Sequence, residues 1–308
     1  MKTLLPYIQI ARPDHWFKQF FMLPGLCLAF LFLRDIPDGM LVNLLLGLFS
    51  TCCIASANYT INEYLDAPFD RQHPTKCKRP AAQGLVCLKG VLIEYALLSV
   101  AGLWSGFALN ALFGSTALIL LLMGIAYNVR PMRTKDVPYL DVISESINNP
   151  LRLVLGWAVC IPDYLPPSSF LLAYWFGGAF LMALKRFAEL RTIKSREAVA
   201  LYRKSQASYT ERKLLVSAFF YAMNTGLFLG ISLIKYKIEF IFLFPLVALL
   251  FSWYFALSMN ANSVVQTPEK LFQEKKFMLY TTLLVLLFCL TCFIHIEQLD
   301  FLLTPLSR

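Results

Sequence analysis

Residues 62–80 read Asn62-Glu63-Tyr64-Leu65-Asp66-Ala67-Pro68-Phe69-Asp70-Arg71-Gln72-His73-Pro74-Thr75-Lys76-Cys77-Lys78-Arg79-Pro80. Asn62, Asp66 and Asp70 recur every four residues, so a helix through them carries all three on one face. Glu63 is a neighbour of Asp66 at i, i+3. Carboxylates crowded in this way repel one another unless a cation neutralises them. Oxygen ligands suit Mg²⁺, which takes one or two carboxylates, keeps several waters and joins them to substrate phosphates. Lys76, Lys78 and Arg79 follow at once and suit phosphate oxygens. A solvated helix end accounts for a bare charge run, but not for acids at helical spacing with a second acid set on the same side.

That second set lies in residues 127–152. Asp141, Glu145, Asn149 and Arg152 step by four, four and three, which is one face of a helix. Ionisable groups inside an apolar segment are costly and face a cavity or a partner; Arg152 is either a counter-ion for Glu145 or a ligand contact. Pro150 invites a kink or a break. Arg130, Arg133 and Lys135 again place phosphate-type contacts beside acids. Tyr127 either orients a substrate or marks the interface belt. A third basic cluster, Lys185 and Arg186, precedes Glu189 and Arg191 at the end of a later apolar segment and can point into the same vestibule.

The elements that must position these residues are apolar helices. The chain has 308 residues, 58% hydrophobic and 15% charged, with mean hydropathy +0.59. Soluble domains run near 45–50% apolar and roughly 25% charged. This composition excludes disorder, a disulfide scaffold and an ordinary cytosolic enzyme. Nine windows match the roughly 20 apolar residues that cross a bilayer: 17–33, 41–61, 92–112, 114–129, 140–162, 168–188, 214–234, 240–259 and 277–295. The fold class expected is all-α integral membrane with nine transmembrane helices, and one domain over 1–308. No cleavable signal peptide is expected in the first fifteen residues, and residues 6–16 form either an amphipathic helix at the interface or a polar lead-in.

Positive residues accumulate in cytoplasmic loops. With the N-terminus inside, cytoplasmic segments hold 23 of the 28 Lys and Arg. Four lie opposite (Arg34, Lys235, Lys237 and Arg308), and Arg152 lies within the fifth window. The protein is therefore expected in a cell inner membrane with N-terminus and active site cytoplasmic and C-terminus on the other side. The formal charge of +9 is then topology plus a phosphate-binding rim, not a nucleic-acid footprint. Of the eight cysteines, Cys27, Cys52, Cys53, Cys160, Cys289 and Cys292 fall inside windows and pack as small hydrophobes. Cys77 and Cys87 face a reducing cytosol and are expected as thiols. The 189–213 connection, with Tyr202, Arg203 and Lys204, either caps the mouth or is a solvated linker.

The sum is a cytoplasm-facing mouth lined by acids, rimmed by bases and opening onto an apolar bundle. Such a mouth suits a substrate with a phosphate head and a lipid tail. A transporter of an anionic solute also uses buried acids and a basic mouth, but no inverted repeat or pair of broken helices sits at matched positions in two halves. A nucleic-acid binder shows a basic stripe; here bases are interleaved with acids.

The residues 62–70 resemble the first Asp-rich motif, NDxxDxxxD, of the UbiA superfamily of intramembrane prenyltransferases, and residues 127–145 resemble its second. The resemblance implies a helical bundle around a central cavity open to the cytoplasmic side, two Mg²⁺ ions bridging a diphosphate, and a lateral opening to lipid. Residues 11–18 (Ala11-Arg12-Pro13-Asp14-His15-Trp16-Phe17-Lys18), 70–80 and 185–190 are similar to the branch that transfers phosphoribosyl from phosphoribosyl diphosphate to decaprenyl phosphate. The implied partners are a polyprenyl phosphate or diphosphate, a phosphorylated small co-substrate and membrane lipids, with no nucleic acid; homo-oligomerisation is left open. Metal ligands would be Asn62, Glu63, Asp66, Asp70, Asp141 and Glu145, with Asp66, Asp70 and Asp141 catalytic. Asn62, Lys76, Arg79, Tyr127, Arg130, Glu145, Arg152, Lys185 and Arg186 would bind substrate. The alternative in the same superfamily is prenyl transfer from a polyprenyl diphosphate to an aromatic acceptor. Glu63 stands where the family has Asp, and residues 144–150 depart from the glycine-containing stretch of the phosphoribosyl branch.

Overall fold

A computed structural model describes residues 4–33, 35, 37–72, 76–192, 204–260, 263–266, 271 and 273–303. Arg34, His73, Pro74, Thr75, Tyr202, Arg203 and Arg308 lie outside the described residues. The described residues are helical with no strand. Seven helices among them are long and apolar enough to cross a membrane. Large apolar side chains stand outward on these helices: Leu97, Val100 and Trp104, and likewise Phe219 and Met223, are each at least 60% exposed. A water-soluble surface does not carry apolar patches of that extent; hydrocarbon covers them without cost.

The chain divides into two compact units. The first comprises Met1–Leu26, Ile36–Leu165 and Lys194–Tyr209. Its core is α3 (Met40–Asp70), packed against α4 (Leu88–Leu109) and α5 (Ala111–Asn128). Small residues set the close approach: Ser50 donates to the Gly102 carbonyl at 2.6 Å. Asn110 alone joins α4 to α5. Its side chain accepts from Phe113 N at 2.8 Å, capping α5, and donates to the Ala158 carbonyl.

Before α3 the chain forms α1 (Leu5–Ala11) and a long 3₁₀ segment, Pro13–Met22, that leads into α2 (Leu23–Ala29). Arg12, between them, has φ +51° and turns the chain. The expected 17–33 crossing is thus a 3₁₀ run followed by a seven-residue helix. The 140–162 window is also broken, into α6 (Leu140–Ser146) and α7 (Asn148–Ala158). The interruption at Ile147 has a direct cause. Pro150 has no N–H to give the Ser146 carbonyl, and its ring crowds that carbonyl. The face that was to carry Asp141, Glu145 and Arg152 together is therefore split between two helices.

The second unit comprises Cys27–Asp35, Pro166–Ile193 and Thr210–Arg308. Here α8 (Ser168–Thr192) packs along α9 (Glu211–Tyr236), with Phe176 stacked on Phe228 and Ser232 donating to Ser169 at 2.8 Å. Then follow α10 (Leu243–Ser258), whose Phe251 stacks on Phe180, and α11 (Lys275–Phe293). Buried Glu239 ties the end of α11 by accepting from Ile296 N at 2.8 Å and contacting His295 at 3.0 Å.

Candidate active site

The site lies in the first unit, at the end of α3. As the spacing predicts, α3 continues through Asn62, Glu63, Asp66 and Asp70 before it stops. Glu63 and Asp70 are each 2% exposed, and Asp66 is partly open. Charges buried to this depth require partners, and each acid has a cation. Asp66 Oδ1 accepts from Lys135 Nζ at 2.6 Å and from Arg133 Nη2 at 3.0 Å. Asp70 Oδ2 accepts from Arg79 Nη1 at 2.6 Å. Glu63 Oε2 accepts from both Nε and Nη2 of Arg12, at 3.2 and 2.8 Å.

Asn128, the last residue of α5, organises the centre. Its Oδ1 accepts from Lys135 Nζ at 2.8 Å and from Asn62 Nδ2, while its own Nδ2 donates to the Gly124 carbonyl. Arg133, held at φ +30°, reaches the Asn128 carbonyl at 3.0 Å and Asp136 at 3.1 Å. Its guanidinium also lies 5.4 Å from the Phe69 ring centroid. Glu63, Asp66, Asp70 and Asp136 thus face Arg12, Arg79, Arg133 and Lys135, four acids against four bases. Beside them a cleft of about 360 Å³ is lined by Arg130, Arg133, Asp136 and Lys204.

Glu145 accepts from the Tyr127 hydroxyl at 2.6 Å, which puts Tyr127 on an acid of the second motif. Asp141 is wholly buried and turned toward the 204–209 segment. It accepts from Tyr209 Oη at 2.6 Å and Ser205 Oγ at 3.1 Å, and Tyr209 Oη in turn accepts from the Tyr139 amide. Arg152 donates from Nε to Gln19 Oε1 at 3.0 Å and from Nη1 to the Asn148 carbonyl. Lys76 sits half-buried in the short 3₁₀ turn after α3. Lys185 and Arg186 belong to the second unit, where buried Arg186 pairs with Glu189 at 3.0 Å.

Arg12, Asn128, Ser205, Tyr209 and Gln19 are additions to the expected set. Arg12 and Asn128 fall in stretches marked by the motifs; the other three carry no signal in the sequence, because their partners are 64 to 133 residues away.

The donor set fits a hard divalent cation. It consists of carboxylate and amide oxygens, and Glu63 Oε1 is a buried acceptor with no hydrogen-bond donor among the described residues. Among the described residues no three acidic, His or Cys side chains gather as a complete metal cage. Mg²⁺ does not need one, since it draws much of its shell from phosphates and water.

A family model described as the UbiA prenyltransferase family matches residues 20–283. A decaprenyl-phosphate phosphoribosyltransferase of Mycolicibacterium smegmatis is 30% identical over 210 residues, 67% of this chain and 63% of that protein. The enzyme of that name from Mycobacterium tuberculosis is 34% identical over 164 residues, 52% of this chain and 51% of its own length. The chain thus spans less than two thirds of the length of these relatives. A UbiA homologue from Archaeoglobus fulgidus, solved with GPP and Mg²⁺, superposes with a TM-score of 0.72 at 19% identity, over 94% of this chain and 100% of the other. This chain belongs to the UbiA prenyltransferase family, a family of membrane-embedded transferases.

Proposed function

We propose that the protein transfers phosphoribosyl from phosphoribosyl diphosphate to a polyprenyl phosphate, as one transferase domain of nine membrane crossings with its site on the cytoplasmic side. The observation that carries this reading is the set of paired charges around Asp66, Asp70 and Glu63. Arg12, Arg79, Arg133 and Lys135 are each already placed beside an acid, so an arriving diphosphate can take Arg79, Arg133 and Lys135 as the acids turn to a cation. The names of the two mycobacterial relatives support the same substrates.

Asn62, Glu63, Asp66 and Asp70 would hold Mg²⁺, which neutralises a leaving diphosphate when bound. Glu145, oriented by Tyr127, would serve a second cation or the sugar. Lys76, Arg79 and Arg130 would bind phosphate oxygens. Asp141 fits a positioning role, holding the 204–209 segment beside the cleft. A phosphate oxygen of the lipid attacks C1 of the ribose, the C1–O bond to diphosphate breaks with its electron pair, and diphosphate leaves. Preorganised cations stabilise that developing charge.

The second reading, prenyl transfer to an aromatic acceptor, is favoured by the GPP and Mg²⁺ in the Archaeoglobus homologue. Labelled phosphoribosyl diphosphate with polyprenyl phosphate, run against a prenyl diphosphate with 4-hydroxybenzoate, separates the two. A phosphoribosyl lipid in the first assay is expected; product only in the second overturns the reading.

A further inference from the structure

We propose that Gln19 and Arg152 form the seat for the phosphomonoester head of the acceptor lipid, an inference that rests on the function proposed above. The 3₁₀ segment Pro13–Met22 runs antiparallel along α3. Arg12 meets Glu63, His15 packs edge-on against Tyr59, and Trp16 donates to Ser56 at 2.9 Å. Seven residues of α3 separate Glu63 from Ser56, a descent of about 10 Å from the acids. In a 3₁₀ helix residues three apart eclipse, so Gln19 continues the Trp16 stripe one turn further on.

Gln19 is 1% exposed. Its amide orientation is not arbitrary. Arg152 Nε can only donate, so the atom it meets at 3.0 Å must be the Gln19 oxygen. The Gln19 NH₂ then faces the other way, and it has no acceptor among the described residues. A buried amide donor left unpaired is unfavourable. Set beside a guanidinium inside an apolar bundle, it selects an acceptor that is also an anion. Both residues lie in the first unit with the acids, and their offset from the α3 acids would set the incoming head apart from the leaving diphosphate.

Gln19→Glu tests the seat with little change of shape. It keeps an oxygen for Arg152, removes the NH₂ and adds a negative charge; Gln19→Met removes both polar atoms. With the full chain in lipid nanodiscs, KM for polyprenyl phosphate is expected to rise at least about tenfold in both variants, the factor for losing a hydrogen bond to a charged group. KM for phosphoribosyl diphosphate should stay within about twofold. Unchanged lipid KM overturns the proposal, and so does a rise confined to phosphoribosyl diphosphate, which would move the donor's own phosphates to this place.

Thermal stabilisation by polyprenyl phosphate, compared with the dephosphorylated polyprenol, provides a readout independent of turnover. Wild-type stabilised only by the phosphate, with the effect lost in Gln19→Glu, supports the seat even where no phosphoribosyl lipid forms. Equal stabilisation of wild-type and variant overturns it. Failure of the phosphoribosyl assay alone counts against the proposed reaction.

Discussion

Lys135 Nζ and Arg133 Nη2 converge on one oxygen of Asp66, at 2.6 and 3.0 Å. Lys135 is 3% and Arg133 8% exposed, so two cations are kept close together inside the protein by a carboxylate they share. Removing that carboxylate leaves both charges in a poorly solvated place. For a fully buried pair the cost is about 3–5 kcal/mol; Asp66 is one-fifth exposed, which reduces it. Asp66→Ala is expected to lower stability by about 2 kcal/mol and to cut turnover by at least about a hundredfold. A chemical-denaturation curve and a single-turnover assay check the two effects. Full activity in Asp66→Ala and Asp70→Ala removes the catalytic assignment altogether.

Glu63 gives Arg12 only Oε2, leaving Oε1 in reserve. Glu63→Gln keeps the length and drops the charge. Turnover is expected to fall by about tenfold or more, with a higher Mg²⁺ concentration needed for half-maximal rate. Arg12→Met, which leaves Glu63 in place, should raise the demand for donor substrate more than the demand for Mg²⁺. Identical Mg²⁺ titrations for wild-type and Glu63→Gln would show that Glu63 is not a ligand.

Two glycines fix how α7 meets the start of the chain. A Cβ on Gly25 would stand 1.9 Å from the Leu153 carbonyl oxygen, and one on Gly156 would stand 1.9 Å from that of Met22. The obstacles are backbone and cannot rotate away. Gly25→Ala and Gly156→Ala are each expected to destabilise by about 3 kcal/mol, at the upper end for overpacking. Gly230, with nothing within 4 Å of an added Cβ, provides the comparison: Gly230→Ala should leave the melting temperature unchanged or raise it.

The α3 face was legible because every contributor lies within one helix, so spacing alone places Asn62, Asp66 and Asp70. The α6–α7 break was half legible. Pro150 announces it, but the stepping of Asp141, Glu145 and Arg152 presumes the continuous helix that Pro150 prevents. The partnering was not legible at all. Arg12–Glu63, Lys135–Asp66 and Tyr209–Asp141 join residues 51 to 69 positions apart, and a periodic pattern carries no information about such pairs. The 3₁₀ run has the same difficulty, since hydropathy over 17–33 reads alike for an α-helix and for a 3₁₀ segment pressed against α3.

Cys87, the exposed residue before α4, has a thiol pKa below the ordinary value, first because Tyr7 Oη lies 3.4 Å from its sulfur and then through the Gly90 amide. The hydroxyl can donate to the thiolate, which favours the charged form. A lower pKa means more thiolate at a given pH, so alkylation by iodoacetamide should rise through a midpoint shifted to lower pH. Tyr7→Phe is expected to move that midpoint upward and slow labelling at pH 7.5. Superimposable pH profiles would exclude the Tyr7 contact as the cause.

Asp141 tests whether the second motif ligates or positions. Its carboxylate meets Tyr209 Oη at 2.6 Å and Ser205 Oγ at 3.1 Å, and it is 0% exposed. Through Tyr209 it also supports the Tyr139 amide, which opens α6. Tyr209→Phe removes the donor and leaves that amide without its acceptor, for about 2 kcal/mol of lost stability. If Asp141 positions the 204–209 segment beside the cleft, Asp141→Asn and Tyr209→Phe should weaken donor binding alike. The double variant should then be no worse than the poorer single one, because the two residues act as a unit. The Mg²⁺ concentration for half-maximal rate should be unmoved by either. A rise in that concentration for Asp141→Asn, with none for Tyr209→Phe, would make Asp141 a ligand and end the positioning account.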